Sequence, residues 1–222
     1  MKSGLEEVEL PNTLKEVQYN AFQECKDLKA IWVRDDFGMS LRQYNGFMAI
    51  LPSRQILVGA APLWDLRSLK DVRIPDGVEK IGGYWFSDSN VESVEICASV
   101  RELGPGAFCR CEKLKRVSFQ DGSRLEKIGD ACFYWAAVEK VVVPRGVEQI
   151  SAEAFSNCTD LKEVTFEDGS RLREIGEQAF FNCKGLKNAG LPEGLERIEE
   201  YAFAWCGLEE VTLPSTLREV QK

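Results

Sequence analysis

The chain has 222 residues, a net charge of −8 and no histidine, and its residues are 44% hydrophobic and 29% charged, as in ordinary globular proteins. The acidic balance argues against a nucleic-acid groove, which needs a dense Lys and Arg stripe, and no apolar run approaches the length of a membrane span. Without histidine the chain has no Ser-His-Asp triad and no imidazole metal ligand. We therefore expect no enzymatic activity, no cofactor and no membrane insertion.

One pattern of residues recurs along the chain with a period of about 22 to 25 residues, within the range of leucine-rich repeats. Counted from Ile150, the pattern places Ala154 four residues on, Phe155 five residues on and Cys158 eight residues on. The same offsets, or a form one residue shorter, start from six further positions: Val17, Ile81, Leu103, Ile128, Ile175 and Ile198. A motif copied this often indicates a structural unit rather than a catalytic site.

Each repeat ends in the segment L-x-x-V-x-(L/I/F)-P, whose alternating apolar residues predict a short β-strand. The proline that often follows cannot donate a ladder hydrogen bond, so it ends the strand. In chain order the ten predicted strands are 8–10, 31–33, 49–51, 72–74, 94–96, 117–119, 141–143, 164–166, 189–191 and 211–213. Neighbouring strands are expected to stack in parallel.

The full pattern, I-G-x-x-A-F-x-x-C-x-x-L-x-x-V-x-L-P, resembles the BspA-like, or Treponema-type, leucine-rich repeats over about 1–33 and 49–222. The resemblance implies an α/β-type leucine-rich-repeat solenoid of about ten coils. It implies a parallel sheet on the concave face, with turns and short helical pieces on the convex face. We expect 1–222 to form a single solenoid in which 34–48 is an irregular or degenerate coil.

Two positions of the repeat have clear structural roles. One Phe in each coil should stack into a spine inside the solenoid. The Cys three residues after that Phe, as at Cys158, Cys183 and Cys206, is small and apolar enough to be a buried free thiol. A disulfide bridge between neighbouring coils, Cys158–Cys183 or Cys183–Cys206, is also geometrically possible.

Residues that the repeat leaves free are the candidates for binding, because a solenoid recognises its partner through variable exposed positions. The outward residue at each strand centre includes Trp32, Arg73 and Glu95. Trp and Arg are enriched in binding hot spots, so we predict a partner-binding site at these three residues. The alternative is that the neighbouring segment simply covers Trp32.

That neighbouring segment, 34–48, breaks the repeat and contains Phe37, Tyr44 and Phe47. Its aromatic residues predict a partner-binding loop, unless the segment is a degenerate coil that packs its rings inward.

Aromatic residues next to the Phe of each repeat predict a second surface on the convex side: Tyr84, Tyr134, Trp135, Phe181 and Trp205. The sequence Asn-Cys-Thr at Asn157 fits an N-glycosylation acceptor. However, Asn182 fills the same repeat position without such a motif, which favours an accidental match.

The resemblance implies a surface or secreted protein used for adhesion or protein binding, with a host or matrix protein among its possible partners. The alternative is an intracellular scaffold located in the cytoplasm. Both termini are partial repeats without a polar cap, so we expect either a fragment of a longer protein or ends that self-associate. We predict a non-enzymatic module that binds protein and no nucleic acid.

Overall fold

The computed structural model describes residues 7–10, 30–33, 70–74 and 78–221. Within them, all regular secondary structure is β-strand. The strands are β1 Glu7–Leu10, β2 Ala30–Val33, β3 Asp71–Arg73, β4 Lys80–Ile81, β5 Ser93–Ile96, β6 Glu102–Leu103, β7 Arg116–Phe119, β8 Lys127–Ile128, β9 Lys140–Val143, β10 Gln149–Ile150, β11 Glu163–Phe166, β12 Glu174–Ile175, β13 Asn188–Ala189, β14 Arg197–Ile198 and β15 Glu219–Val220.

The strands from β3 onward form two parallel sheets, and successive coils add strands to both. Four strands of four residues, together with the three-residue β3 and the two-residue β13, make a six-stranded sheet in the order β13-β11-β9-β7-β5-β3. The other two-residue strands make a seven-stranded sheet in the order β15-β14-β12-β10-β8-β6-β4. This arrangement confirms the predicted repeat solenoid. Strands β1 and β2 pair separately, in parallel, with Glu9 opposite Trp32.

Three details of the predicted fold are wrong. The described residues form about six solenoid turns rather than ten coils, partly because β1 and β2 make a separate sheet and 49–51 lies outside the described residues. The second sheet was not predicted, because a two-residue strand is too short for an alternation signal. The convex side has turns but no helical pieces within the described ranges, which also hold no helix long and apolar enough for a membrane crossing.

The predicted strand 211–213 also fails to form. One isolated bridge, between Asn188 and Glu210, joins this segment to the preceding coil. Val211 and Leu213, at positions that are buried in other coils, are 40% and 53% exposed. The last described coil has a neighbour on one side only, so its apolar positions remain partly open.

Pairs of turns take the place of the expected helical pieces. In the coil that starts at Ile150, the N–H groups of Ala154 and Cys158 each donate to the carbonyl three residues earlier, at 3.3 and 3.2 Å. The residues before them, Glu153 and Asn157, are left-handed, with φ of 56° and 62°. An α-helix needs consecutive right-handed residues, so this backbone cannot continue as one.

Between these turn bonds, the intervening N–H groups cross to the next coil. Glu153, Phe155 and Asn157 donate to carbonyl oxygens of the following coil at 2.7 to 2.8 Å. The coils approach each other closely. A Cβ added at Gly129 or Gly176 would lie 2.6 or 2.8 Å from backbone atoms of the preceding coil. This contact explains the recurring Ile-Gly pair of the repeat.

The Phe spine predicted from the repeat is confirmed. Neighbouring rings lie 5.0 to 5.2 Å apart between centroids, and their planes differ by at most 12°. The stack consists of Phe86, Phe108, Phe133, Phe155, Phe180 and Phe203, and the first five rings are almost fully buried. These rings link consecutive coils into one core.

Replacing Phe133, in the middle of this stack, with Ala should lower the free energy of unfolding by about 3–5 kcal/mol, because it leaves a cavity between two neighbouring rings. Urea unfolding followed by circular dichroism measures the change. The control is Val142→Ala at an exposed position, where a change within about 0.5 kcal/mol is expected. A loss below about 1 kcal/mol for Phe133→Ala would contradict the role of the spine.

Candidate functional site

The Cys position of the repeat makes a hydrogen bond that the sequence did not predict. Four thiols each donate to the backbone carbonyl oxygen of the spine Phe in the preceding coil. The pairs are Cys111 to Phe86 at 2.8 Å, Cys158 to Phe133 at 3.0 Å, Cys183 to Phe155 at 3.2 Å and Cys206 to Phe180 at 2.9 Å. These cysteines therefore join neighbouring coils as well as filling space.

The prediction of free thiols is confirmed for the seven cysteines of the described residues, and Cys25 lies outside them. Neither Cys158–Cys183 nor Cys183–Cys206 is bridged. Cys109 is 9% exposed and lies outside the main core cluster.

The environment of each thiol sets its reactivity. Burial raises the pKa of Cys111 and of Cys158 to about 12, and it raises the pKa of Cys132 well above the ordinary value. The pKa of Cys183 is raised by a hydrogen bond with Cys206 and by burial, whereas that same bond lowers the pKa of Cys206. Cys206 is also partly exposed whereas the other four thiols are buried, so a reagent reaches Cys206 first.

Native protein at pH 8 should therefore be alkylated by iodoacetamide at Cys206, which is partly exposed, well before Cys111, Cys132, Cys158 or Cys183. Peptide mass spectrometry at several reaction times measures the order of labelling. A Cys206→Ser variant should lose the early label, and denatured protein should be labelled at every cysteine. Early labelling of Cys132 in folded protein would show that the core is not closed around it.

Much of the charged surface is paired from one coil to the next. In one row the ammonium of Lys70 lies 3.1 Å from Glu92, and Glu139 lies 3.6 Å from Lys115 and 3.5 Å from Lys162. Comparable rows run beside the short strands. Such exposed pairs contribute about 0–1 kcal/mol each, so they mark solvated rows of the surface.

The strand-centre row consists of the residues predicted at the strand centres of the six-stranded sheet, and its last member directly follows β13: Arg73, Glu95, Ser118, Val142, Thr165 and Gly190. The structure brings Arg73 and Glu95 to opposed positions of paired strands β3 and β5, and Ser118 lies opposite Glu95 on β7. Glu95 is half-buried and accepts a hydrogen bond from Gln120 Nε2 at 3.0 Å. Further along, Val142 is 43% exposed, and a Cβ built on Gly190 would meet no atom within 4 Å.

The other predicted site residues lie outside this sheet. Trp32 is in β2, opposite Glu9 in the two-stranded sheet. Phe37, Tyr44 and Phe47 lie outside the described residues. The described sheet therefore brings together Arg73 and Glu95 among the six predicted residues.

The turns carry exposed aromatic side chains, as the repeat predicted for this side. Tyr84 is 55% exposed, Trp135 is 50% exposed and Trp205 is 74% exposed, and the ring of Phe181 stacks on Trp205 at 5.7 Å. Sequence reasoning missed Tyr201, which is 53% exposed. The sequence did contain a signal for Tyr201. Tyr201 occupies the same repeat position as Tyr84, directly before the Ala position of the coil.

Asn157, the candidate glycosylation residue, has a structural role in its turn. Its amide nitrogen donates to Ser156 Oγ at 3.0 Å, and its Oδ1 accepts a bond from Asn182 Nδ2 at 2.8 Å. Asparagine tolerates the left-handed backbone of this position better than most residues do. The turn therefore explains both asparagines without a glycan.

Comparisons with known proteins agree with this architecture. A model of the BspA type leucine rich repeat region matches residues 1–44, 51–158 and 126–222, in six copies. The chain belongs to the BspA-type leucine-rich-repeat family. Leucine-rich-repeat proteins generally bind other proteins, and the fold is that of a protein-interaction or adhesion-type module.

Three solved structures are similar to this chain. The T. pallidum leucine-rich repeat protein TpLRR is 29% identical, with a TM-score of 0.61 over 68% of this chain and 72% of that one. A leucine-rich repeat protein from Eubacterium ventriosum is 20% identical, with a TM-score of 0.59 over 96% of this chain and 62% of that one. The pneumococcal vaccine antigen PcpA is 21% identical, with a TM-score of 0.45 over 67% of this chain and 61% of that one. A search of curated protein sequences finds no match.

Proposed function

We propose that this chain is a non-enzymatic protein-binding or adhesion module that recognises its partner through the strand-centre row. The observation that carries the proposal is the contrast between the two sides of each long strand. Val94, Val141 and Val164 fill equivalent inward positions and are almost fully buried, whereas the outward neighbours differ from coil to coil. A constant interior under a variable face is how solenoids obtain specificity.

The variable face changes from charged to neutral residues along its length. Arg73 and Glu95 lie at its charged end, and the row continues through Ser118 and Val142 to Thr165, which are small and neutral. A partner that spans this face would meet charged groups at one end and a flat neutral surface at the other. Charged residues at one end would fix the orientation of the partner.

The proposal adds Trp32, at the predicted strand centre of β2, as an aromatic anchor for the same partner. The segment that contains Phe37, Tyr44 and Phe47 adds a partner-binding loop to the proposal. A host or matrix protein is the class of partner that the family resemblance implies. In this proposal the protein acts at the cell surface or after secretion.

Affinity capture from host-cell surface and matrix extracts tests the site. Trp32→Ala combined with Arg73→Ala should reduce recovery of each specifically captured partner about 30-fold or more, because hot-spot residues contribute at least about 2 kcal/mol. Quantitative mass spectrometry measures recovery. The matched control combines Tyr84→Ala with Arg101→Ala, which removes an exposed aromatic residue and an exposed Arg that both lie outside the strand-centre row. This control variant should recover as much partner as the wild type. Equal recovery by the wild type and the Trp32/Arg73 variant would refute this site.

A second candidate function is an intracellular scaffold that uses the same surface. The seven unbridged cysteines of the described residues favour it, because disulfides are common in secreted domains and rare in the cytosol. Fractionation of the native cells, with antibody detection of the full-length protein, separates the two functions. Recovery only from the cytoplasm would favour the scaffold.

A further inference from the structure

The turns of four consecutive coils carry a line of aromatic and amide side chains. We call it the aromatic strip, and its members are Tyr134, Trp135, Asn157, Phe181, Asn182 and Trp205. Backbone N–H groups of Trp135, Asn157 and Asn182 donate to the next coil at 2.7 to 3.0 Å, which fixes the register of the strip. With about 4.8 Å between paired strands, Trp135 and Trp205 lie three coils, or about 14 Å, apart.

The fold does not require Trp at either end of this strip. Trp135 and Trp205 have left-handed backbones, with φ of 56° and 61°, which is unfavourable for a bulky side chain. Asn157 and Asn182 fill the same repeat position in the two coils between them. The exposure of Trp135 is not an effect of the solenoid end, because coils pack on both of its sides.

The presence of Trp at position 205 also leaves one hydrogen-bond acceptor of the neighbouring coil without a partner. Asn182 Nδ2 donates to Asn157 Oδ1, so the two amides begin a ladder along the strip. A third amide at position 205 could continue the ladder, but an indole ring lies there, and the buried Oδ1 of Asn182 has no hydrogen-bond partner. Backbone strain, an exposed ring and a lost hydrogen bond together indicate that Trp205 serves binding rather than folding.

The chemistry of the strip selects the class of ligand. Its exposed rings offer flat apolar faces. Each asparagine amide has two N–H donors, one of which bonds to Ser156 in the case of Asn157 and to Asn157 in the case of Asn182. A sugar ring has complementary groups, because its C–H face packs on an aromatic ring while its hydroxyls bond to amides. The strip itself contains no charged residue, and the charges next to it in the same row, Asp88 and Arg110, are paired at 3.3 Å.

The shape of the strip also distinguishes between ligands. A stable protein interface needs roughly 800 Å² on each partner around a contiguous apolar core. This strip is a narrow line, and asparagines interrupt its aromatic residues. An extended chain of β-linked sugars advances, per sugar, by about the distance between coils, and the net charge of −8 disfavours an anionic chain.

We propose that the aromatic strip binds a neutral, extended polysaccharide. Sugar rings stack on Trp135 and on the Phe181–Trp205 pair, and sugar hydroxyls bond to the intervening asparagine amides. This function goes beyond the proposed protein-binding role. It uses the turns rather than the strand-centre row, so either site can fail without the other.

Native gel electrophoresis in gels cast with one neutral polysaccharide each tests the proposal. The panel is hydroxyethyl cellulose, mixed-linkage β-glucan, xylan and galactomannan. At least one of them should retard the wild-type protein. The variant Trp135→Asn with Trp205→Asn should lose about tenfold or more in affinity, because two ring contacts disappear.

The asparagine variant should keep the fold, because the same repeat position holds asparagine in two other coils. Thermal unfolding should give a Tm at or above that of the wild type. The matched control is Tyr84→Asn, which removes an exposed ring at a left-handed turn outside the strip, with φ of 58°. This control should be retarded as strongly as the wild type.

Three results would overturn the proposal. The first is a wild type that no gel of the panel retards. The second is equal retardation of the wild type and the Trp135/Trp205 variant. The third is unfolding of that variant, because the rings would then serve the fold. Loss of protein-partner capture by this variant, without any polysaccharide retardation, would identify the strip as a protein interface instead.

Discussion

The backbone hydrogen bonds between the turns of neighbouring coils are the constraint on which the rest of the structure depends. In each pair of turns, the N–H groups alternate between a bond inside the turn and a bond to the following coil. The N–H of Ala154 bonds inside its turn, and the N–H of Phe155 bonds to the following coil. Buried backbone donors must be paired, so this alternation fixes both the left-handed residues and the register. The Phe spine and the thiol bonds to the Phe carbonyls follow from that register.

The same register separates the residues that hold the fold from those that are free to vary. Inward positions accept a narrow set of side chains because the neighbouring coil lies about 5 Å away. Outward positions, such as Val142 and Trp135, contribute little to the core and can differ between coils. The strand-centre row and the aromatic strip lie on different elements. The sheet carries a row that is charged at one end and neutral at the other, and the turns carry aromatic rings and amides. One solenoid can therefore present two surfaces.

The repeat predicted most of the fold because its offsets encode the inward positions directly. Strands such as Ser93–Ile96 and Glu163–Phe166 lie within one residue of their predicted positions, and the spine contains the predicted Phe residues. The binding surfaces were less predictable. The pattern predicts Trp135 and Trp205 on the convex surface, but it does not give the stacking of Phe181 on Trp205 or the bond between Asn182 and Asn157. Those properties depend on side chains that lie a full coil apart in sequence.

The sequence by itself determined the period, the parallel strands, the spine and the absence of histidine chemistry, because each is a property of residue type and spacing. The tertiary structure decided the hydrogen bonds and strand pairs that each coil makes with its neighbouring coils. It replaced the expected helical pieces with turns, added the second sheet and made hydrogen-bond donors of the buried thiols. It also left 211–213 without a strand. The physical reason is that these features depend on partners in the neighbouring coil, such as Ala154 for Phe133 and Phe86 for Cys111, which spacing within a single repeat does not specify.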